Sequence, residues 1–135
     1  MLKGASLSTD RGILPQGDVL VAGGVIRAVA ETLPCPAGTD VIDLSGKLLS
    51  YGFADLHVHF REPGAPQKET IRTGALAAAR GGYTTVCAMP NLSPAPDSLE
   101  TLALEQVIID RDACVEVLPY ATITLERAGR RHGGA

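Results

Sequence analysis

The sequence has 135 residues, with 12 Lys and Arg against 15 Asp and Glu, a formal net charge of −3 and 45% hydrophobic residues, enough chain for one ordinary domain with a core. That mild acidity gives no support for a nucleic-acid partner or a basic membrane surface. Neither a charged-then-apolar leader nor an apolar run of membrane-spanning length occurs, so the default compartment is the cytoplasm, and Cys35, Cys87 and Cys114, which lack Cys-x-x-Cys spacing, read as reduced thiols acting as small buried hydrophobes.

Residues 1–51 read as short strands broken by turns. Asp18 to Ala22 and Val25 to Val29 flank Gly23-Gly24, a two-residue hairpin signal. Pro34 to Gly38 is a cluster of breakers and reads as a loop, and Val41 to Leu44 leads into a turn at Ser45-Gly46-Lys47. Nothing in this stretch looks chemical. It is a small β unit whose expected task is packing, although composition leaves a binding-module role open.

From residue 52 the pattern becomes strand, loop, helix, strand. Thr70 to Arg80 is rich in Ala and Leu, with Ile71, Ala75, Ala78 and Ala79 at helical spacing, and Gly81-Gly82 stops it. Tyr83 to Met89 is an apolar, β-branched strand ending in Pro90-Asn91, and Ser93-Pro94-Ala95-Pro96 is a loop. A second helix is predicted with Asp97 as N-cap and Glu100 as its partner, its apolar stripe formed by Leu99, Leu102, Ala103 and Val107. Val115 to Thr124 is a third strand. The strand-to-strand repeat of about thirty residues matches the roughly 250 residues that eight β/α units of a TIM barrel occupy. The expected fold class is therefore α/β: a partial TIM (β/α)8 barrel, its first three β/α units at 52–126, preceded by a small β-sandwich segment at 1–51 and followed by an irregular tail at 127–135. Three units are too few to close a barrel, so the chain reads as truncated and inactive alone.

The chemistry concentrates in Asp55-Leu56-His57-Val58-His59-Phe60-Arg61-Glu62-Pro63-Gly64. In a strand, residues two apart share a face. His57, His59 and Arg61 are thus predicted to converge, with Leu56, Val58 and Phe60 on the opposite, apolar side. The turn at Glu62-Pro63-Gly64 puts the trio at the carboxyl end of the strand, where α/β proteins place their sites. Two neutral imidazoles so presented suit a borderline metal such as zinc. A purely structural arrangement would instead pair Arg61 with Glu62 or Glu69 and use Asn91 to cap the turn after Pro90.

This stretch, with Gly52-Phe53-Ala54 before it and Gly81-Gly82-Tyr83-Thr84-Thr85-Val86-Cys87-Ala88-Met89-Pro90-Asn91 downstream, resembles the dihydroorotases of the cyclic amidohydrolase superfamily from about residue 1 to about residue 125. The resemblance implies a hydrolase that interconverts (S)-dihydroorotate and N-carbamoyl-L-aspartate in pyrimidine biosynthesis. It implies one or two Zn2+ ions per full-length active site, with His57 and His59 as metal ligands and Arg61 and Asn91 gripping the substrate carboxylate. The remaining ligands and the catalytic Asp are expected beyond residue 135. The full-length form is expected as a homodimer or in association with aspartate carbamoyltransferase, with no nucleic-acid or membrane partner. Tyr51 stands where the family usually has Pro, and Leu92 where a polar residue such as Thr follows the Asn; His132 matches no motif. Two alternatives stand beside this reading: an allantoinase- or dihydropyrimidinase-type enzyme, whose substrates lack a ring carboxylate, and a non-catalytic dihydroorotase-like scaffold subunit of aspartate carbamoyltransferase, which would be expected to lose metal ligands.

Overall fold

The computed structural model describes residues 1–129; His132 lies outside them. The chain divides into two compact units, Met1–Tyr51 and a second beginning at Gly52.

The first unit is one mixed sheet. Strands β1 (Leu2–Thr9), β2 (Gly12–Ala22) and β3 (Val25–Ala30) form an antiparallel meander, while the short strands β4 (Ile42–Asp43) and β5 (Leu48–Leu49) pair parallel with β1. Gly23 and Gly24 both have positive φ, 60° and 73°, which suits the tight turn their position between two strands predicts. Residues 1–51 thus hold a single sheet and not the two packed sheets of a sandwich, because β4 and β5 extend the edge of β1 and do not stack over it. Ala5, Leu7 and Val19 are buried at its centre, with Leu2, Leu14, Leu44 and Leu49 packed around them. Asp18 is 3% exposed within this sheet. An irregularity in the β1–β2 register between Leu2 and Ala5 leaves the Gly4 N–H free to donate to Asp18 Oδ1 at 3.0 Å, and the Leu33 N–H donates to Oδ2 at 3.0 Å.

The second unit runs β6 (Phe53–Val58), α1 (Ile71–Arg80), β7 (Tyr83–Ala88), α2 (Leu99–Asp112) and β8 (Glu116–Pro119), the three strands forming a parallel sheet in the order β6-β7-β8. Such a sheet requires a crossover between successive strands, and each helix provides one. Phe60, Ile71, Val86, Ala88, Ile109 and Val117 make the core. Phe60 enters it over Gly74, where a Cβ would lie 2.2 Å from the ring; the buried face of α1 is therefore Ile71, Gly74 and Ala75, and Ala79 is exposed.

Helix α2 departs further from expectation. Its N-cap is Ser98, whose hydroxyl accepts from the Thr101 N–H at 3.2 Å. The Asp97 carboxylate is engaged elsewhere, accepting from the Thr101 hydroxyl and from the Glu126 N–H at 2.8 Å. The buried face runs through Leu102, Glu105 and Ile109, so Leu99, Ala103 and Val107 are exposed. Glu105, 1% exposed, has neither carboxylate oxygen hydrogen-bonded. Burial pushes its carboxyl up to about 7, since an ion without partners is costly in an apolar setting.

The thiols are unpaired, but only Cys87 is buried; Cys35 and Cys114 are exposed. Among the described residues, no helix is long and apolar enough to cross a membrane.

Candidate metal centre

Strand β6 ends at Val58, so His57 is its penultimate residue, while His59 and Arg61 lie beyond it. The alternation predicted from the sequence therefore covers only the start of the motif. Val58 and Phe60 do turn to the core. Leu56 is 67% exposed, because β6 is an edge strand and no described element covers that side of it.

Local hydrogen bonds hold the end of the strand and the segment beyond it. The Asp55 carboxylate accepts from the His57 N–H at 3.0 Å, two residues on. The sequence signal for this contact is an Asp able to bond the backbone N–H two residues on. The Arg61 N–H donates to the Glu69 carbonyl at 3.1 Å, and the Glu62 carboxylate accepts from the Ile71 N–H at 2.9 Å. The loops after β6 and β7 are laced together. Met89 N–H donates to the Val58 carbonyl at 2.9 Å and Ser93 N–H to the Pro63 carbonyl at 3.2 Å. Gly64 makes that lacing possible: its φ is +116°, and a Cβ would sit 2.8 Å from the Ser93 backbone N and O. Leu92, 5% exposed, is buried in this junction, which explains an apolar residue there.

The lacing brings together the carboxyl ends of β6 and β7. His57 Nε2 and His59 Nε2 are 3.3 Å apart, and His59 Nδ1 is 2.9 Å from Asn91 Oδ1. Two ligands of a tetrahedral zinc with Zn–N bonds of about 2.0–2.1 Å are separated by about 3.3–3.4 Å, so the imidazoles stand at the spacing of neighbouring ligands of one ion. Both rings are exposed, leaving their nitrogens open to solvent and to an ion. The donor set fits a borderline divalent metal in kind and spacing, and it supplies two ligands: among the described residues there is no group of three or more His, Cys, Asp and Glu that could hold a metal. Arg61 is half-buried and makes no ion pair with Glu62 or Glu69; the Glu69 carboxylate accepts from the Thr73 hydroxyl. Asn91 bonds His59 and is not a cap for the turn after Pro90. The apolar hollow on the first unit, lined among others by Leu7, Val19, Val21, Ile26 and Val29, contains no carboxylate, imidazole or thiol and so offers no rival chemistry.

Fold and site together define an α/β protein with polar side chains gathered at the carboxyl ends of parallel strands. A family model described as dihydro-orotase-like matches residues 46–133, and the chain belongs to that family. It is 52% identical over 119 residues to a dihydroorotase of Staphylococcus aureus (strain Mu50 / ATCC 700699), covering 88% of this chain and 28% of the relative. To a dihydroorotase of Bacillus subtilis (strain 168) it is 50% identical over 129 residues, covering 96% of this chain and 30% of the relative. Among solved structures it is similar to a D-hydantoinase (dihydropyrimidinase) from Thermus sp., with a TM-score of 0.72 at 28% identity over 89% of this chain and 26% of that one. The chain thus spans less than a third of the length of these relatives.

Proposed function

We propose that this chain is part of a zinc-dependent cyclic amidohydrolase that interconverts dihydroorotate and N-carbamoyl-aspartate in pyrimidine biosynthesis, with His57 and His59 as metal ligands. The 3.3 Å separation of the two Nε2 atoms carries the reading, and membership of the dihydro-orotase-like family supports it. Strands β6, β7 and β8, with the two helices between them, are then the first three strands of an eight-stranded TIM barrel. The same reading places the protein in the cytoplasm, where unpaired thiols such as Cys35 and Cys114 stay reduced.

When bound, a divalent ion there would supply Lewis-acid polarisation of the ring carbonyl and lower the pKa of a water. The chain's own residues would hold and select the substrate. The Arg61 guanidinium, free of ion pairs with its acidic neighbours, can grip a carboxylate with two parallel N–H donors. Asn91 adds an amide donor from the next strand end, within reach because neighbouring strands lie about 4.8 Å apart. A dihydropyrimidinase-type substrate has no ring carboxylate and would leave that grip idle.

The test compares Arg61→Ala and Arg61→Lys with the wild type in the protein that contains this chain, at equal zinc occupancy. Losing a charge-assisted pair costs roughly 2–5 kcal/mol, about 30- to 4,000-fold in kcat/KM. The loss should be large for dihydroorotate and small for dihydrouracil, and Arg61→Lys, which keeps the charge without the fork, should also be impaired. Equal losses on both substrates would mean that Arg61 supports the site and does not read the carboxylate.

A further inference from the structure

The 2.9 Å contact between His59 Nδ1 and Asn91 Oδ1 carries more than proximity. An amide carbonyl oxygen has no proton to give, so the bond requires the proton on the imidazole Nδ1. In the neutral ring that leaves Nε2 with a bare lone pair. This is the nitrogen that lies 3.3 Å from His57 Nε2, and with no proton on the His59 side, that second contact can be a hydrogen bond only if His57 Nε2–H is the donor. The two histidines, alike in sequence, are thus in different states. His57 Nδ1 has no hydrogen-bond partner among the described residues, and neither has the Asn91 amide nitrogen.

We infer that Asn91 has a positioning role: it fixes His59 as the Nδ1–H tautomer, making His59 the pre-set metal ligand and His57 the adaptable one. The inference rests on the metal reading only for its consequence. The tautomer itself is a property of the metal-free chain. An ion entering between the two Nε2 atoms finds the His59 lone pair ready, while His57 must give up its Nε2 proton and, as a neutral ring, carry one on Nδ1 instead, by exchange with solvent. No net proton is gained or lost by the pair in this exchange. The amide end of Asn91 stays free for an acceptor, so one residue joins the metal ligand to the substrate carboxylate. A partner that fixes a ligand histidine's tautomer is typically worth about 10- to 100-fold in metal affinity.

The experiment is long-range proton–nitrogen correlation NMR on the 15N-labelled, metal-free chain at about pH 8. The expected result is a protonated Nδ1 and an unprotonated Nε2 on His59, with a protonated Nε2 on His57. Asn91→Asp, which keeps the acceptor and loses the amide donors, should preserve the His59 pattern. Asn91→Ala should mix its tautomers and weaken zinc binding, measured against a chromophoric chelator, by about 10- to 100-fold. A protonated His59 Nε2 in the wild type overturns the inference whatever the variants do, and so does an unchanged His59 tautomer in a folded Asn91→Ala chain. If the wild-type pattern is as expected but zinc does not go to His57 and His59, the positioning role stands and the metal reading fails.

Discussion

Asp18 and Glu105 are buried carboxylates, one in each unit, and their surroundings differ. Asp18 sits where a register irregularity frees the Gly4 N–H and a loop returns the Leu33 N–H, with Lys3 Nζ 3.6 Å away. Led by the Leu33 hydrogen bond, these contacts hold its carboxyl below the ordinary value. Glu105 lies mid-helix, where the backbone N–H groups are already bonded within α2, and nothing reaches its oxygens. Irregular backbone can supply donors to a buried charge. A regular helix cannot, so the proton must stay on the acid.

The larger expected effect comes from Glu105. Its folded value of about 7 lies above the ordinary 4.5, so below the ordinary value the acid is neutral folded or unfolded and there is no penalty. As pH rises from 4.5 to about 7 the unfolded state ionises first and stability falls, reaching a cost of about 3 kcal/mol above the folded value. Glu105→Leu should raise the unfolding free energy at about pH 8 by roughly that amount and abolish the slope, as followed by denaturant titration across pH. An identical slope in both proteins would mean the carboxylate finds partners when ionised. The smaller effect, of opposite sign, comes from Asp18. Its value is lowered, so its contribution is present above the ordinary carboxylate range and lost as pH falls through the folded value. Asp18→Asn should therefore flatten the acid limb and leave the slope due to Glu105 untouched; a change in that slope would show that the two carboxylates do not act separately.

The same contrast explains what could be read from the sequence. Helix α1 was legible because Ile71 and Ala75 of its apolar stripe lie on the face it buries; Gly74, which makes room for Phe60, joins them, and Ala79 is exposed. The buried face of α2 is not legible as an apolar stripe, because Glu105 counts as polar in any periodicity, yet its position is central to that face. Strand β1 was hidden by Gly4 and by the polar Ser6 and Ser8, although its pairing with β2, β4 and β5 makes it the centre of the first sheet. At the site, strand alternation singles out His57, His59 and Arg61, and Asn91 enters only through the family resemblance. Alternation could not show that β6 stops at Val58, or that Gly64 closes the loops so tightly that His59 meets Asn91. Those contacts join segments some thirty residues apart and leave no local trace.

If His57 and His59 hold one ion between them, a zinc titration of the 135-residue chain by calorimetry, repeated on His57→Ala and His59→Ala, will show it. With two protein ligands among the described residues, and at least three expected of a catalytic site, binding should be 1:1 with a dissociation constant of about micromolar or weaker, and each substitution should abolish it. Zinc binding that survives the loss of either histidine would contradict this arrangement.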